Sequence, residues 1–146
     1  MTYVPLPELP YFVRNVLAAL HLHAKGDKAT IMALVGEVGA GKTTFMQALA
    51  HEFHIHEVVQ SPTYVLMKSY PINFDGFLRL IHIDAYRLES PEQFASLAPD
   101  DFLHDPTVLV AIEWPERVVG KLPKPDFVIN FSSVGMAEHE RHIVVA

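Results

Sequence analysis

The chain has 146 residues, half of them apolar and 19% charged, which suits a globular chain with one sizeable core and excludes a disordered one. With 17 acidic against 11 basic side chains the formal net charge is −6, and no Lys/Arg cluster is present, which argues against independent RNA or DNA binding. Cysteine is absent, excluding disulfides and thiolate metal sites, and no secretory signal or apolar run near the ~20 residues of a membrane helix is seen, so a cytoplasmic location away from the membrane is expected.

Leu9, Phe12, Val13, Val16, Leu17 and Leu20 recur at three- and four-residue steps and predict an amphipathic helix from about Leu9 to Ala24. Pro10 suits its first turn and Gly26 its end. Thr30 to Val35 is a compact apolar run, as a buried parallel strand requires. Residues 36 to 43 then read Gly36-Glu37-Val38-Gly39-Ala40-Gly41-Lys42-Thr43 and match G-x-x-x-x-G-K-[ST] at every defined position. The following segment, Thr44 to Ala50, is helix-forming, with Phe45, Leu49 and Phe53 at helical spacing. Strand, glycine loop and helix together make this a P-loop.

The spelling follows from the chemistry. Gly36, Gly39 and Gly41 allow a tight turn that brings backbone N–H groups against phosphate oxygens. The helix that follows adds the positive end of its dipole. Lys42 is expected to reach the β- and γ-phosphates and the Thr43 hydroxyl to ligate Mg²⁺. The nucleotide-contacting stretch is thus Glu37, Val38, Gly39, Ala40, Gly41, Lys42, Thr43 and Thr44.

Beyond this helix, Val58-Val59 predicts a short strand and Tyr64 to Tyr70 another. Asn73-Phe74-Asp75-Gly76 is expected to turn the chain into a strand from Phe77 to Asp84. Ser90-Pro91-Glu92-Gln93 carries a helix start, with serine as cap and proline at the first helical position. Val108 to Ile112 predicts a buried strand. Phe127 to Phe131 and His142 to Val145 predict a hairpin around Gly135. The expected fold is a single-domain α/β sandwich of the P-loop NTPase type, spanning residues 1–146. Its central sheet is mixed and mainly parallel, with helices on both faces.

A P-loop needs a second magnesium-directing acid at the end of a neighbouring buried strand. Leu80-Ile81-His82-Ile83-Asp84 and Val110-Ala111-Ile112-Glu113-Trp114 both end an apolar strand in a carboxylate, where open α/β sheets bind ligands. Asp84 is the expected magnesium-directing group. Glu113 could orient the attacking water or hold a magnesium-bound one. His82 reads as a hydrogen-bonded core histidine. His51, His54 and His56 do not spell a zinc motif and read as a solvated cluster.

The P-loop, Ser61-Pro62-Thr63-Tyr64, His82-Ile83-Asp84-Ala85-Tyr86-Arg87-Leu88 and Ile112-Glu113-Trp114-Pro115-Glu116 occur in that order. In this the chain resembles the TsaE (YjeE) family, small ATPases of bacterial tRNA threonylcarbamoyladenosine biosynthesis. The resemblance spans Gly36 to about Glu116 and implies ATP and Mg²⁺ as ligands. It makes Lys42 and Thr43 phosphate and metal contacts, Asp84 the second magnesium-directing acid and Glu113 a carboxylate needed for turnover and placed near the metal. Trp114 would lie beside the nucleotide. Ser61-Pro62-Thr63 would form a switch-like loop with Thr63 near the γ-phosphate, and Tyr86 and Arg87 would edge the site, Arg87 neutralising phosphate charge or contacting a partner. The implied partner is a TsaB–TsaD-like assembly that places the threonylcarbamoyl group on adenosine 37 of tRNAs reading ANN codons, so tRNA is met only through that assembly. The sequence departs from the family pattern at Ser96-Leu97-Ala98-Pro99-Asp100 and at His51 to His56, which bears on loop shape and partner contacts.

Three other nucleotide-using classes compete. A small-molecule kinase brings several arginines and a lid, whereas five arginines are scattered here. A regulatory GTPase commonly carries Asn-Lys-x-Asp, which is missing. A nucleotide-gated binding module with negligible turnover needs the same loop and magnesium ligands as an ATPase, and sequence separates the two poorly.

Overall fold

A computed structural model describes residues 2–5, 9–23, 26–37, 41–57, 59, 66–132 and 140–145, with backbone alone for 2–5, 132 and 140–145. Along the chain come β1 (Thr2–Pro5), α1 (Leu9–Leu22), β2 (Thr30–Val35), α2 (Lys42–Glu52), β3 (Met67–Phe74) and β4 (Phe77–Asp84). A 3₁₀ helix (Pro91–Leu97), α3 (Asp100–Leu103), β5 (Val108–Glu113), a second 3₁₀ helix (Pro115–Val118), β6 (Phe127–Ser132) and β7 (Glu140–Val145) follow. One sheet holds all seven strands in the order β1-β7-β6-β2-β5-β4-β3. The four central strands β6, β2, β5 and β4 are mutually parallel, and the outer neighbours β7, β1 and β3 join antiparallel.

The apolar runs explain the centre of the sheet. All six residues of β5 are buried, as are the first five of β2, because helices cover both faces and neither strand has a polar side. Met32, Leu34, Leu80, Leu109 and Ala111 meet α1 and α2 through Phe12, Val16, Leu20, Phe45 and Leu49. The alternate residues Ile31, Ala33, Ile81, Ile83, Val110 and Ile112 meet Phe94, Phe102, Leu103 and Val118 on the other face. The period of two has a consequence for function. His82 and Asp84 continue the series of Leu80, and Glu113 continues that of Leu109 and Ala111, so all three belong to the α2 side of the sheet.

The predicted elements are refined in four places. The strand expected from Tyr64 begins, among the described residues, at Met67 and runs through the expected turn to Phe74, so that only Asp75-Gly76 reverse the chain. β3 is an edge strand, where a proline is tolerated because its missing N–H breaks no ladder, and the register shifts between Pro71 and Phe74. Val59 belongs to no strand; it is buried against the α1–α2 face, and its carbonyl accepts a hydrogen bond from Gln47 Nε2 at 3.1 Å, while Val58 lies outside the described residues. Ser90 makes no side-chain cap, and the element it starts is 3₁₀; Gln93 Oε1 instead accepts the Glu89 N–H at 2.7 Å. β1, which no sequence signal announced, pairs with β7. Ala24 and the turn around Gly135 lie outside the described residues. Among the described residues no helix is long and apolar enough to cross a membrane.

Candidate functional site

The P-loop leaves the carboxyl end of β2, at the centre of the sheet, and enters α2. Gly41 is the N-cap of that helix with φ 109°, in the region that disfavours any side chain, so the loop's last glycine is a conformational requirement. The Phe45 N–H donates to Gly41 O at 2.9 Å and closes the first helical turn. Gly36, at the loop's start, is needed for space. A Cβ there would stand 2.6 Å from the Phe131 carbonyl oxygen on β6.

Lys42 is the first residue of α2 and only 5% exposed. Its Nζ donates to Gly36 O and lies 4.0 Å from the centroid of the Trp114 ring, a cation–π contact. Burial lowers its pKa and outweighs the opposing pull of Glu113, Asp84, Glu116 and Glu37, in that order of strength. The lysine thus sits in a negative field, folded back on its own loop. Thr43 is half-buried in the first turn of α2, Thr44 is exposed beside it, and Glu37 is exposed at the loop's entry.

β4 and β5 are adjacent and parallel, and their last residues, Asp84 and Glu113, are register partners. Both are 3% exposed. Asp84 Oδ1 accepts the Tyr86 N–H at 2.9 Å, an Asx turn that fixes one of its oxygens. The Ala85 N–H donates to Glu113 O at 3.1 Å, so the two strand ends stay tied as they diverge. Glu113 Oε2 lies 2.7 Å from Nε2 of His82, whose ring is fully buried. Trp114 follows in left-handed backbone, φ 60° and ψ 51°, which is rare for a bulky residue and turns its ring toward Lys42.

Tyr86 packs its ring 5.0 Å from that of Trp114 and remains exposed. Arg87 lines a cavity with Leu66, Leu88, Gln93 and Ser96. The arginine that joins the aromatic pair is Arg117, with its guanidinium carbon 5.7 Å from the Tyr86 ring and Nη1 donating to Leu88 O at 3.4 Å. Val38, Gly39, Ala40, Ser61, Pro62 and Thr63 lie outside the described residues. His51, His54 and His56 are all exposed.

Lys42, Asp84, Glu113 and Trp114 thus converge from α2, β4 and β5, and His82 and Arg117 join them. His82 is the buried, hydrogen-bonded histidine that the sequence predicted, and strand alternation puts it on the face of Asp84. Nothing local marks Arg117. Among the described residues no three His, Cys, Asp or Glu side chains form a group that holds a metal by itself. Magnesium fits such a place because it takes one or two carboxylates, with water and substrate phosphate completing its shell.

A family model described as "Threonylcarbamoyl adenosine biosynthesis protein TsaE" matches residues 13–143. A tRNA threonylcarbamoyladenosine biosynthesis protein TsaE from Treponema pallidum is 36% identical over 120 residues, 82% of this chain and 84% of the relative. The proteins of the same name from Streptomyces coelicolor and Bacillus subtilis are 35% identical over 118 residues and 34% over 110, covering 79% and 75% of this chain and 78% and 66% of the relatives. The crystal structure of Bacillus subtilis YdiB superposes with a TM-score of 0.68 at 26% identity, over 97% of this chain and 80% of that one. By family model and relatives alike, the chain belongs to the TsaE family.

Proposed function

We propose that this protein is a Mg²⁺-dependent ATPase that serves threonylcarbamoyladenosine formation on tRNA, working in the cytoplasm with a TsaB–TsaD-like assembly. The observation that carries the reading is the convergence of Lys42 with Asp84 and Glu113 at neighbouring strand ends, beside the start of the P-loop. The names of the relatives supply the pathway. The absence of a basic cluster agrees with tRNA being met only through the assembly.

On this reading the loop's N–H groups and the start of α2 cradle the phosphates, the stretch from Glu37 to Thr44 contacts the nucleotide, and Trp114 lies beside it. Lys42 leaves Gly36 O and the Trp114 ring to neutralise the β- and γ-phosphates. Thr43 and Asp84, with Glu113 nearby, would hold Mg²⁺, which would further neutralise phosphate charge. Glu113 aims a water at the γ-phosphorus. Thr63, in the segment Ser61-Pro62-Thr63, is the candidate γ-phosphate sensor. Tyr86, Arg87 and Arg117 stand at the rim, where partner contact and phosphate charge meet. Because positioning and electrostatics provide the rate, turnover is slow in the isolated protein and is raised by a partner that completes the site.

Phosphate release from ATP, measured with and without the TsaB–TsaD-like assembly of the same organism, tests the proposal. Stimulated release that Lys42→Ala lowers by about a hundredfold or more supports it. A stable complex without turnover would replace it with a nucleotide-gated binding module, and brisk release without partners would point to a small-molecule phosphate acceptor.

A further inference from the structure

The buried pair behind Glu113 has a geometry that packing alone does not account for. His82 on β4 has Ala111 of β5 as its register partner, while Glu113 is the partner of Asp84. The His82–Glu113 contact therefore runs diagonally, with the glutamate leaning back along its strand by two residues, a span within reach of long side chains. Opposite His82 the small side chain of Ala111 leaves that path open. The 2.7 Å separation is at the short end for a charge-assisted N–H···O bond. Nδ1 of the same ring is buried with no partner among the described residues, so the ring's hydrogen bond there is the one Nε2 donates to the carboxylate.

A leucine in place of His82 would fill this position without burying an orphaned nitrogen. Buried polar pairs are often neutral or unfavourable for stability compared with apolar side chains of similar volume. The pair does have a directional effect. It fixes one glutamate oxygen at the end of a central strand, beside Asp84 and within the field of Lys42. We propose that His82 is a positioning residue that aims the Glu113 carboxylate for ATP hydrolysis; the assignment rests on the hydrolytic reading above.

The test is a double-mutant cycle in partner-stimulated phosphate release, with His82→Leu, His82→Gln, Glu113→Gln and the double variant His82→Leu/Glu113→Gln. His82→Leu is expected to lower kcat by about ten- to hundredfold, leaving KM for MgATP and the affinity for a non-hydrolysable ATP analogue unchanged. His82→Gln keeps an N–H donor and is expected to recover most of the loss. In the Glu113→Gln background His82→Leu is expected to add nothing, because the group it positions is already disabled. A full additional loss in that background would overturn the proposal, as would unchanged kcat in His82→Leu. If both His82 variants lose analogue affinity and cooperative unfolding together, His82 is a packing residue and the proposal fails. Wild-type protein that releases no more phosphate than Lys42→Ala overturns the hydrolytic reading itself, and this assignment with it.

Discussion

Gly36→Ala separates two uses of glycine in the phosphate loop. An added Cβ would lie 2.6 Å from the Phe131 carbonyl oxygen, 3.0 Å from its Cβ and 3.3 Å from its carbonyl carbon. The oxygen is roughly 0.8 Å closer than ordinary van der Waals contact allows. Neither side yields easily. Phe131 is in the ladder with β7, and its ring packs edge-on against Phe45 at a centroid distance of 5.6 Å. Overpacking of this kind costs about 1–3 kcal/mol, a fall of several degrees in Tm for a chain of this length. Phe131 is held in the sheet, so the strain falls on Gly36, and displacement there would move the N–H groups proposed to bind phosphate. A misplacement near 1 Å lowers catalysis by about a hundredfold, so turnover is expected to suffer more than stability. Urea unfolding and titration with a non-hydrolysable ATP analogue measure the two effects. Gly26→Ala is the control, because among the described residues nothing stands within 4 Å of a Cβ at that position. If Gly36→Ala matched the wild type in stability and in analogue affinity, the close approach of loop and strand would not exist in solution.

Two further perturbations read other parts of the structure. The Tyr70 hydroxyl is buried without a hydrogen-bond partner among the described residues, an arrangement that costs about 1–3 kcal/mol; Tyr70→Phe is therefore expected to stabilise by about 1 kcal/mol in urea unfolding, and a loss of stability would mean that the hydroxyl is satisfied. Burial, and then the charge of Glu57, raise the pKa of Tyr70. The folded state thus keeps its proton to higher pH than the unfolded chain, so stability is intact below about pH 10 and falls as pH rises from there through the folded-state value. The wild type should lose stability more steeply than Tyr70→Phe across that alkaline window, and parallel curves would contradict the shift. Trp114, the one tryptophan of the chain, has Lys42 Nζ 4.0 Å from its ring centroid. Nucleotide binding should change its emission as the lysine moves to phosphate; unchanged emission in a sample shown to bind by calorimetry would refute that movement.

Much of this protein was legible in order along the chain. The apolar run at Thr30–Val35, the glycines of the loop and the three- and four-residue steps of Leu9 to Leu20 announce β2, the P-loop and α1, because each rests on neighbours a few bonds apart. Asp84 and Glu113 were readable as strand-end acids for the same reason. Only the sheet made them partners. They are 29 residues apart in sequence, and their pairing depends on β5 entering the sheet between β2 and β4. Period-two alternation placed His82 on the face of Asp84, yet its bond to Glu113 needed the register of a second strand and the small side chain of Ala111 opposite. Arg117, from a 3₁₀ turn, reaches the Tyr86 ring through space that no local pattern describes. Pro71 reads as a strand breaker until β3 is seen to be an edge, where no neighbour needs its missing N–H. Local chemistry is written in the spacing of residues, whereas strand order and register follow from burying both faces of one sheet at once, a condition that the whole chain satisfies together.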